Sequence, residues 1–238
     1  MPYITGGHPA VDAGLLRSLE AAGADAIEVG IPHSDPIMDG GVIQQASAAA
    51  LEAGATPGGV LATIREAALT APVAVMTYAN PVTRRGESAF VGDLVEAGVS
   101  GAIVPDMPVD EADALAAQAV AAGIDLVLLA APGAGSERLG RIGRSSHGFV
   151  YCVASYGVTG ARDRLEGTAR EVVEALRPHT DLPLLVGVGI GTPEAAAEAC
   201  TFADGAIVGS AMMRALMGGG PSALATAAAS FRAAIPAA

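Results

Sequence analysis

Short apolar runs alternate along the chain with longer Ala-rich stretches in which apolar residues recur at helical spacing. The runs have the length of buried strands, and the stretches between them have the length of helices. Strand followed by helix, repeated, predicts a parallel sheet covered by helices on its outer face. The eight candidate strands are Tyr3–Thr5, Ala26–Gly30, Val73–Thr77, Gly101–Val104, Leu126–Leu129, Gly148–Val153, Leu184–Val188 and Gly205–Val208. The candidate helices include Val11–Ala22, Gly41–Ala53, Val60–Ala68, Phe90–Ala97, Glu111–Ala122, Thr168–Leu176 and Pro193–Ala199.

The junction between helix and strand repeats along the chain. The segments "AAGADAIEVG", "EAGVSGAIVP" and "AAGIDLVLLA" each place a glycine just after a helix and before an apolar strand, where glycine commonly adopts the left-handed conformation. Eight such units close a (β/α)8 (TIM) barrel, and 238 residues match the usual size of that fold. A doubly wound open sheet is the competing arrangement, although no Gly-rich phosphate fingerprint follows the first strand. No linker or shift in composition divides the chain, so we predict one α/β barrel domain over residues 1–238.

Charge and cysteine usage exclude several classes of protein. The net charge of −12 disfavours nucleic acid and anionic membranes as partners, and it means that any phosphate must be bound locally by backbone N–H groups. Neither Cys152 nor Cys200 lies in a metal-binding pattern, so we expect no metal site and two buried thiols. Neither a signal segment nor an apolar run of about 20 residues is seen. We therefore expect a soluble, cytoplasmic protein.

A carboxylate lies in the second candidate strand, where alternation places Ile27 and Val29 on the helix-covered face. Glu28 then points into the barrel near its top. Partial desolvation there should raise its pKa and let it hold a proton near neutral pH, as a general acid must. The alternative is a structural buried acid paired with Arg or Lys.

A second carboxylate, Asp39, follows in a loop that contains several prolines and glycines. A loop of that composition is shaped and can place Asp39 beside Glu28 over the barrel mouth. Two alternatives stay open at this point. Asp39 equally fits the cap of the helix that begins near Gly41, and Asp35 has the same chemistry.

Glycine-containing turns follow the last three candidate strands, in "SYGVTGAR", "GVGIGTPE" and "IVGSAMMR". Barrels commonly bind phosphate with the loops after strands seven and eight and the N-terminus of a short helix. The segment "GSAMMRAL" is interpreted as that helix, with Gly209 and Ser210 offering N–H groups to an anion. These turns predict a phosphate site at the barrel mouth.

Six segments together resemble the tryptophan synthase alpha chain family. They are "PYITGGHP", "AIEVGIPHSDPIMDGGVIQ", "MTYANPV", "VPDMPVDE", "YGVTGAR" and "GVGIGTPE", in the family's order over nearly the whole chain. The resemblance implies a lyase that splits indole-3-glycerol phosphate into indole and glyceraldehyde 3-phosphate. It also implies that Glu28 is the general acid–base group and that Asp39 stabilises the positive charge developing on the indole ring.

The resemblance further implies a set of substrate contacts. The phosphate contacts carry over to Gly160, Gly189, Gly209 and Ser210. The indole pocket carries over to Tyr3, Met76, Tyr78, Tyr151, Thr159 and Val188, with Thr159 in a loop that closes the site. The tyrosines, Met76 and Val188 equally fit ordinary core packing.

The family's alpha chain works with a beta chain that carries pyridoxal phosphate, so no cofactor is expected in this chain. The loops around Asp35–Pro36, Asn80 and Pro108 match the family's contact surface for that partner.

Several positions depart from the family pattern. The family's usual extra N-terminal helix is missing, and Ala154, Ser155, Tyr156, His33 and Gly41 replace common residues in the two loops that close the site. We interpret His33 as a surface loop position. The alternatives are a stand-alone indole-releasing lyase, a non-catalytic activator of a beta chain, and another phosphate-binding barrel enzyme such as a sugar-phosphate isomerase.

Overall fold

The structure, a computed structural model, describes residues 1–154 and 162–235, and only the backbone for 162–166. Its strands are β1 (Tyr3–Thr5), β2 (Ile27–Gly30), β3 (Val73–Met76), β4 (Gly101–Ile103), β5 (Asp125–Val127), β6 (Leu129–Ala130), β7 (Val150–Val153), β8 (Leu184–Gly187) and β9 (Gly205–Ala206). Its α-helices are α1 (Ala13–Ala21), α2 (Gly41–Glu52), α3 (Pro57–Ala67), α4 (Ala79–Arg85), α5 (Glu87–Glu96), α6 (Asp113–Ala121), α7 (Ser136–Ser145), α8 (Arg162–Leu176), α9 (Pro193–Ala199) and α10 (Ser210–Ala234). A short 3-10 helix, Arg177–His179, follows α8.

The strands form two parallel sheets that join at both ends. Strands β1 to β5 pair in chain order, and so do β6 to β9. Leu128 alone separates β5 from β6, and its carbonyl accepts the Tyr151 N–H at 3.0 Å. At the other junction Pro2 bridges Val208, whose carbonyl accepts the Tyr3 N–H at 2.9 Å. The sheet therefore closes into the expected barrel, and the open doubly wound alternative is wrong.

The strand register separates an inner from an outer apolar face. Tyr3 lies opposite Glu28, and Glu28 lies opposite Ala74, so these three residues share the inner face. Ile27 and Val29 belong to the larger core between sheet and helices, as alternation along the strand predicts. The smaller apolar cluster inside the barrel comprises Ala74, Ile103, Val127, Tyr151, Val153 and Ile207.

Most predicted strands are one or two residues too long, because residues at strand ends already bend into loops. The largest error is at Gly148, whose φ of +73° is incompatible with an extended strand, so β7 begins two residues later. The run Leu126–Leu129 is two short strands, β5 and β6, and not one.

The predicted helices differ mainly at their starts. Helix α3 begins at Pro57 and not at Val60, because Thr56 caps it by accepting the Gly59 N–H at 3.1 Å. Helix α8 begins six residues before the predicted Thr168. Helices α4 and α7 were not among the predicted helices. The last helix is longer than the short one predicted and consists of two segments that meet at Gly220, with φ of +71°.

Among the described residues, no helix is long and apolar enough to cross a membrane.

Candidate active site

Glu28 is buried inside the barrel and forms no ion pair with another side chain in the described part of the chain. Its residue is 1% exposed, and its Oε2 atom has no hydrogen-bond partner in residues 1–154 and 162–235. Burial raises the pKa of Glu28 to about 8, and the charge of Asp39 adds to the rise. No Arg or Lys forms an ion pair with it in the described part of the chain, so the alternative of a paired structural acid has no support. A carboxyl group in this setting holds its proton at neutral pH.

Asp39 lies in the loop after β2 and is held by a tyrosine. The Tyr78 hydroxyl donates to Asp39 Oδ2 at 3.2 Å. Burial raises the pKa of Asp39 to about 6, while the Tyr78 hydrogen bond and the nearby His33 lower it. Helix α2 is capped by Gly40 without a side-chain hydrogen bond, so Asp39 is not the helix cap. Asp35 is exposed, in contrast to the half-buried Asp39.

The loop of residues 31–40 is folded against the barrel by the same tyrosine. The Met38 N–H donates to the Tyr78 hydroxyl at 3.0 Å, and the Asp39 N–H closes a turn by donating to the Pro36 carbonyl at 3.0 Å. His33 is half-buried, and its ring stacks on Tyr78 with centroids 4.8 Å apart. The interpretation of His33 as a surface loop position was therefore wrong, because sequence does not reveal the ring that covers it.

Two further tyrosines lie inside the barrel beside Glu28. Tyr3 and Tyr151 are both buried, and a Cβ atom at Gly30 or Gly187 would overlap the hydroxyl of Tyr3 or Tyr151, respectively. Burial raises the pKa of both phenols far above the ordinary range, and Glu28 and Asp39 both contribute to each rise. The two carboxyl groups and the two phenols thus share one interior space.

Met76 and Val188, which were also predicted to line the indole pocket, lie at different places. Met76 is half-buried and packs against the inner apolar cluster. Val188 follows β8 at the rim, is 41% exposed, and has a φ of +65°, an outlier for a β-branched residue. It borders a small cavity of about 130 Å³ together with Gly189 and Phe202. The structure therefore brings Met76, and not Val188, against the interior beside Glu28.

Three of the four residues predicted to contact the phosphate lie in the described part of the chain. Gly209 precedes α10, Ser210 is its first residue, and a Cβ at Gly209 would lie 3.7 Å from the Tyr3 Cβ. The free N–H groups of this helix start therefore border the space that holds Tyr3. Gly189, with a φ of +98°, lies at the end of β8. Thr159 and Gly160 lie outside the described residues.

Sequence reasoning missed two side chains that shape the site. The Asp106 carboxylate, after β4, accepts the Ala79 N–H at 2.8 Å and so ties the start of α4 to the neighbouring loop. The Thr5 hydroxyl lies 3.3 Å from the hydroxyl of Tyr3. The aspartate in "VPDMPVDE" was the signal for the first, since it follows a strand directly, and alternation along β1 was the signal for the second. A cavity of about 370 Å³ opens between Asp106 and Met38 at the barrel mouth.

Comparison with known proteins identifies the family of the chain. The family model described as tryptophan synthase alpha chain matches residues 1–231. A tryptophan synthase alpha chain of Prochlorococcus marinus (strain MIT 9313) is 43% identical over 97% of this chain and 86% of its own length. One of Halorhodospira halophila is 46% identical over 90% of this chain and 80% of its own. A Mycobacterium tuberculosis tryptophan synthase structure superposes with a TM-score of 0.91 at 38% identity, covering 100% of this chain and 92% of that one. With its barrel and this agreement over nearly its whole length, the chain belongs to the tryptophan synthase alpha chain family.

Proposed function

We propose that Glu28 and Asp39 perform the lyase reaction of this family. The chain is a lyase of tryptophan biosynthesis that cleaves indole-3-glycerol phosphate to indole and glyceraldehyde 3-phosphate. The observation that supports the assignment is the buried Glu28, whose Oε2 has no hydrogen-bond partner among the described residues, together with Asp39, which Tyr78 holds by a hydrogen bond. Burial raises the pKa of Glu28 to about 8 and that of Asp39 to about 6. Near pH 7 the first is protonated and the second ionised, which gives one acid and one counter-charge in the same space.

The first step places a proton on the indole ring. Glu28 donates its proton to C3 of the ring, because the ring is a poor carbanion leaving group until C3 is protonated. The positive charge that results is shared with the ring nitrogen. The carboxylate of Asp39 accepts a hydrogen bond from the ring N–H and stabilises that charge as it develops.

The second step breaks the carbon–carbon bond. Glu28, now a carboxylate, removes the proton from the side-chain hydroxyl on the carbon attached to C3. The oxygen electrons form the aldehyde carbonyl, and the electrons of the broken bond return to the ring, which leaves as indole. Glu28 ends the cycle with its proton restored, so protons and electrons balance without another reactant.

The remaining site residues complete the proposal. The phosphate is bound by backbone N–H groups, which a helix start and glycine turns expose in an otherwise acidic chain. These groups belong to Gly189, Gly209, Ser210 and Gly160, the last of which lies outside the described residues. The indole lies against Tyr3, Met76, Tyr78 and Tyr151. Val188 at the rim and Thr159, which lies outside the described residues, border it from the mouth. The buried phenols of Tyr3 and Tyr151 support this assignment, since they offer flat apolar surfaces next to Glu28.

The chain works with a tryptophan synthase beta chain, as its family does. We propose that the loops around Asp35–Pro36, Asn80 and Pro108 form the contact surface. A cytoplasmic location is also part of the proposal, since the free thiols Cys152 and Cys200 suit a reducing compartment.

Indole release from indole-3-glycerol phosphate tests the catalytic pair. We expect the wild-type chain with a beta chain to release indole. Glu28→Gln should lose about 100- to 10,000-fold in kcat, the contribution of general acid–base catalysis, while retaining the dissociation constant for substrate. Asp39→Asn should lose about 100-fold or more in kcat, since it removes the counter-charge. Glu52→Gln and Asp181→Asn, which change exposed carboxylates, are the matched controls.

Near-normal turnover in Glu28→Gln contradicts the assignment of the acid. Repeating the wild-type assay without a beta chain separates the two lyase alternatives. Equal turnover with and without the partner indicates a stand-alone enzyme. No indole under either condition, with a beta chain still activated, indicates a non-catalytic activator.

A further inference from the structure

His33 contacts Tyr78, the tyrosine that hydrogen-bonds Asp39. It lies in the loop after β2 and is half-buried. Its ring stacks on Tyr78 with centroids 4.8 Å apart and an interplanar angle of 21°. A nearly parallel stack at this separation is the favourable offset arrangement of two flat rings. The imidazole therefore fixes the plane of the Tyr78 ring.

Tyr78 transmits that restraint to Asp39. Its hydroxyl donates to Asp39 Oδ2 at 3.2 Å and accepts the Met38 N–H at 3.0 Å, so both hydrogen-bonding functions of the hydroxyl are used on the loop of residues 31–40. A displacement of the ring that moved the hydroxyl would break both hydrogen bonds. The orientation of the Asp39 carboxylate thus depends on the position of the Tyr78 ring.

We propose that His33 is a positioning residue for Asp39: it holds Tyr78 in place by stacking and, when protonated, favours the carboxylate form of Asp39. The inference rests on the proposed role of Asp39 as the counter-charge to the indole ring. A carboxylate whose task is to accept a cationic N–H loses that ability when it takes up a proton. A positive charge on His33 acts against this protonation, since it lowers the pKa of Asp39, which burial raises to about 6.

The charges around His33 are mixed. On the inner side, besides burial, the carboxyl groups of Asp39 and Asp106 both raise the pKa of Tyr78, whose phenol raises the pKa of Tyr3. The charge of Asp39 also raises the pKa of Glu28 and of Tyr151. On the outer side, His33 borders a cavity of about 780 Å³ whose other titratable lining residues are Arg65, Arg84, Arg85, Asp93 and Glu96. Arg85 is engaged by Asp93 through two hydrogen bonds of 2.7 and 2.9 Å.

Among the groups that act on the pKa of Asp39, His33 is the one that carries positive charge. Apart from burial, the influences on the pKa of Asp39 are the Tyr78 hydrogen bond and His33, and both lower it. The charge of Asp39 in turn raises the pKa of Glu28. A positive His33 therefore helps to keep the two carboxyl groups in opposite protonation states.

The test is the pH profile of indole release, measured as kcat/KM from pH 5.5 to 9 with a beta chain present. His33→Phe retains a ring for stacking and removes the charge. We expect its acid limb to move upward by about half a pH unit, the size expected for a unit charge one ring away in a partly exposed setting. Above pH 7.5 its activity should stay within about twofold of wild type, because the stack remains.

His33→Ala removes both functions and should lose about three- to tenfold at every pH, since Tyr78 is no longer held. His147→Phe, a half-buried histidine before β7 at the opposite end of the barrel, is the matched control and should leave the profile unchanged. The substrate phosphate also titrates near pH 6, but it does so equally for every variant, so the differences between profiles report the protein. Urea unfolding of each variant shows whether the fold is retained.

Two results separate this inference from the proposed function. A His33→Phe profile that superimposes on the wild-type profile overturns the role of the charge, whereas equal activity of His33→Ala and wild type overturns the role of the stack. The catalytic assignment is overturned if the wild-type chain releases no indole, or if Asp39→Asn releases indole normally. The activity assay then no longer reports on the stack. In that case the acid titration of tyrosine fluorescence is compared between wild type and His33→Phe, each with its own Tyr78→Phe counterpart subtracted, because the chain has four tyrosines. Identical difference titrations overturn the inference.

Discussion

Glu28 shows how a side chain suited to catalysis weakens the fold that holds it. The carboxyl group is buried and its Oε2 has no hydrogen-bond partner among the described residues. Because the folded-state pKa of about 8 lies above the ordinary value of 4.5, folding favours the protonated form. The stability contributed by the protonated group is fully present below pH 4.5, falls as the unfolded chain ionises, and is lost as pH rises through 8.

Glu28→Gln should therefore stabilise the chain at neutral pH. Glutamine keeps the shape but carries no charge, so the free energy of unfolding at pH 7 should rise by about 1–3 kcal/mol, because each pKa unit corresponds to about 1.4 kcal/mol. At pH 4.5 the difference between variant and wild type should nearly vanish. Urea unfolding at the two pH values measures it, with Glu52→Gln as the exposed control. A variant less stable than wild type at pH 7 would contradict the raised pKa.

At the level of elements, glycines on the inner face of two strands leave room for the side chains of two tyrosines. Gly30 ends β2 and Gly187 ends β8, and both face the interior, where any Cβ would overlap a tyrosine hydroxyl. Neither glycine has a positive φ. Close approach of the aromatic ring, and not backbone conformation, therefore explains glycine at these two positions.

Gly30→Ala should displace Tyr3 and with it the site. The added methyl group overpacks the barrel interior, which costs about 1–3 kcal/mol of unfolding free energy. Indole release should fall by about 10- to 100-fold, because small displacements at a reacting centre have effects of that size. Gly92→Ala in α5, where a Cβ meets no atom within 4 Å, is the control and should be neutral or stabilising. Wild-type activity and stability in Gly30→Ala would show that the interior has spare room.

At the scale of the whole molecule, the barrel mouth exposes apolar side chains in the loop that carries Asp39. Ile37 is 70% exposed and Met38 is 40% exposed, both in the loop of residues 31–40. The same loop holds Asp39 through Tyr78. An exposed apolar tip next to the site is suited to a partner that covers the mouth, as the beta chain does in our proposal.

Ile37→Ser should weaken binding of the beta chain. Losing one large apolar contact in an interface typically costs about 1–2 kcal/mol, or about 5- to 30-fold in the dissociation constant. The free energy of unfolding of the isolated chain should stay within about 0.5 kcal/mol, since surface changes rarely exceed that. Titration calorimetry with the beta chain measures the effect. Val120→Ser, which is 48% exposed near the end of α6 at the opposite end of the barrel, is the control. An equal loss of affinity in both variants would place the contact elsewhere.

Periodicity in the sequence was sufficient for the helix-covered parallel sheet and for one half of the proposed catalytic pair. Alternating strands and helices predicted the sheet, because a strand buried on both faces and an amphipathic helix differ in their spacing of apolar residues. Alternation within β2 placed Glu28 on the inner face, since neighbouring strand residues point to opposite sides. These inferences rest on local geometry, which is why they needed no knowledge of the surroundings.

The tertiary structure decided the features that depend on contacts between residues far apart in the sequence. The choice of Asp39 over Asp35 as the buried acid follows from the Tyr78 hydroxyl, which lies 39 positions away. Closure of the barrel depends on a bridge between Pro2 and Val208. The stack that covers His33 depends on the same tyrosine. Contacts of this kind arise only when the chain folds, because packing of the whole barrel, and not spacing along the sequence, brings the partners together.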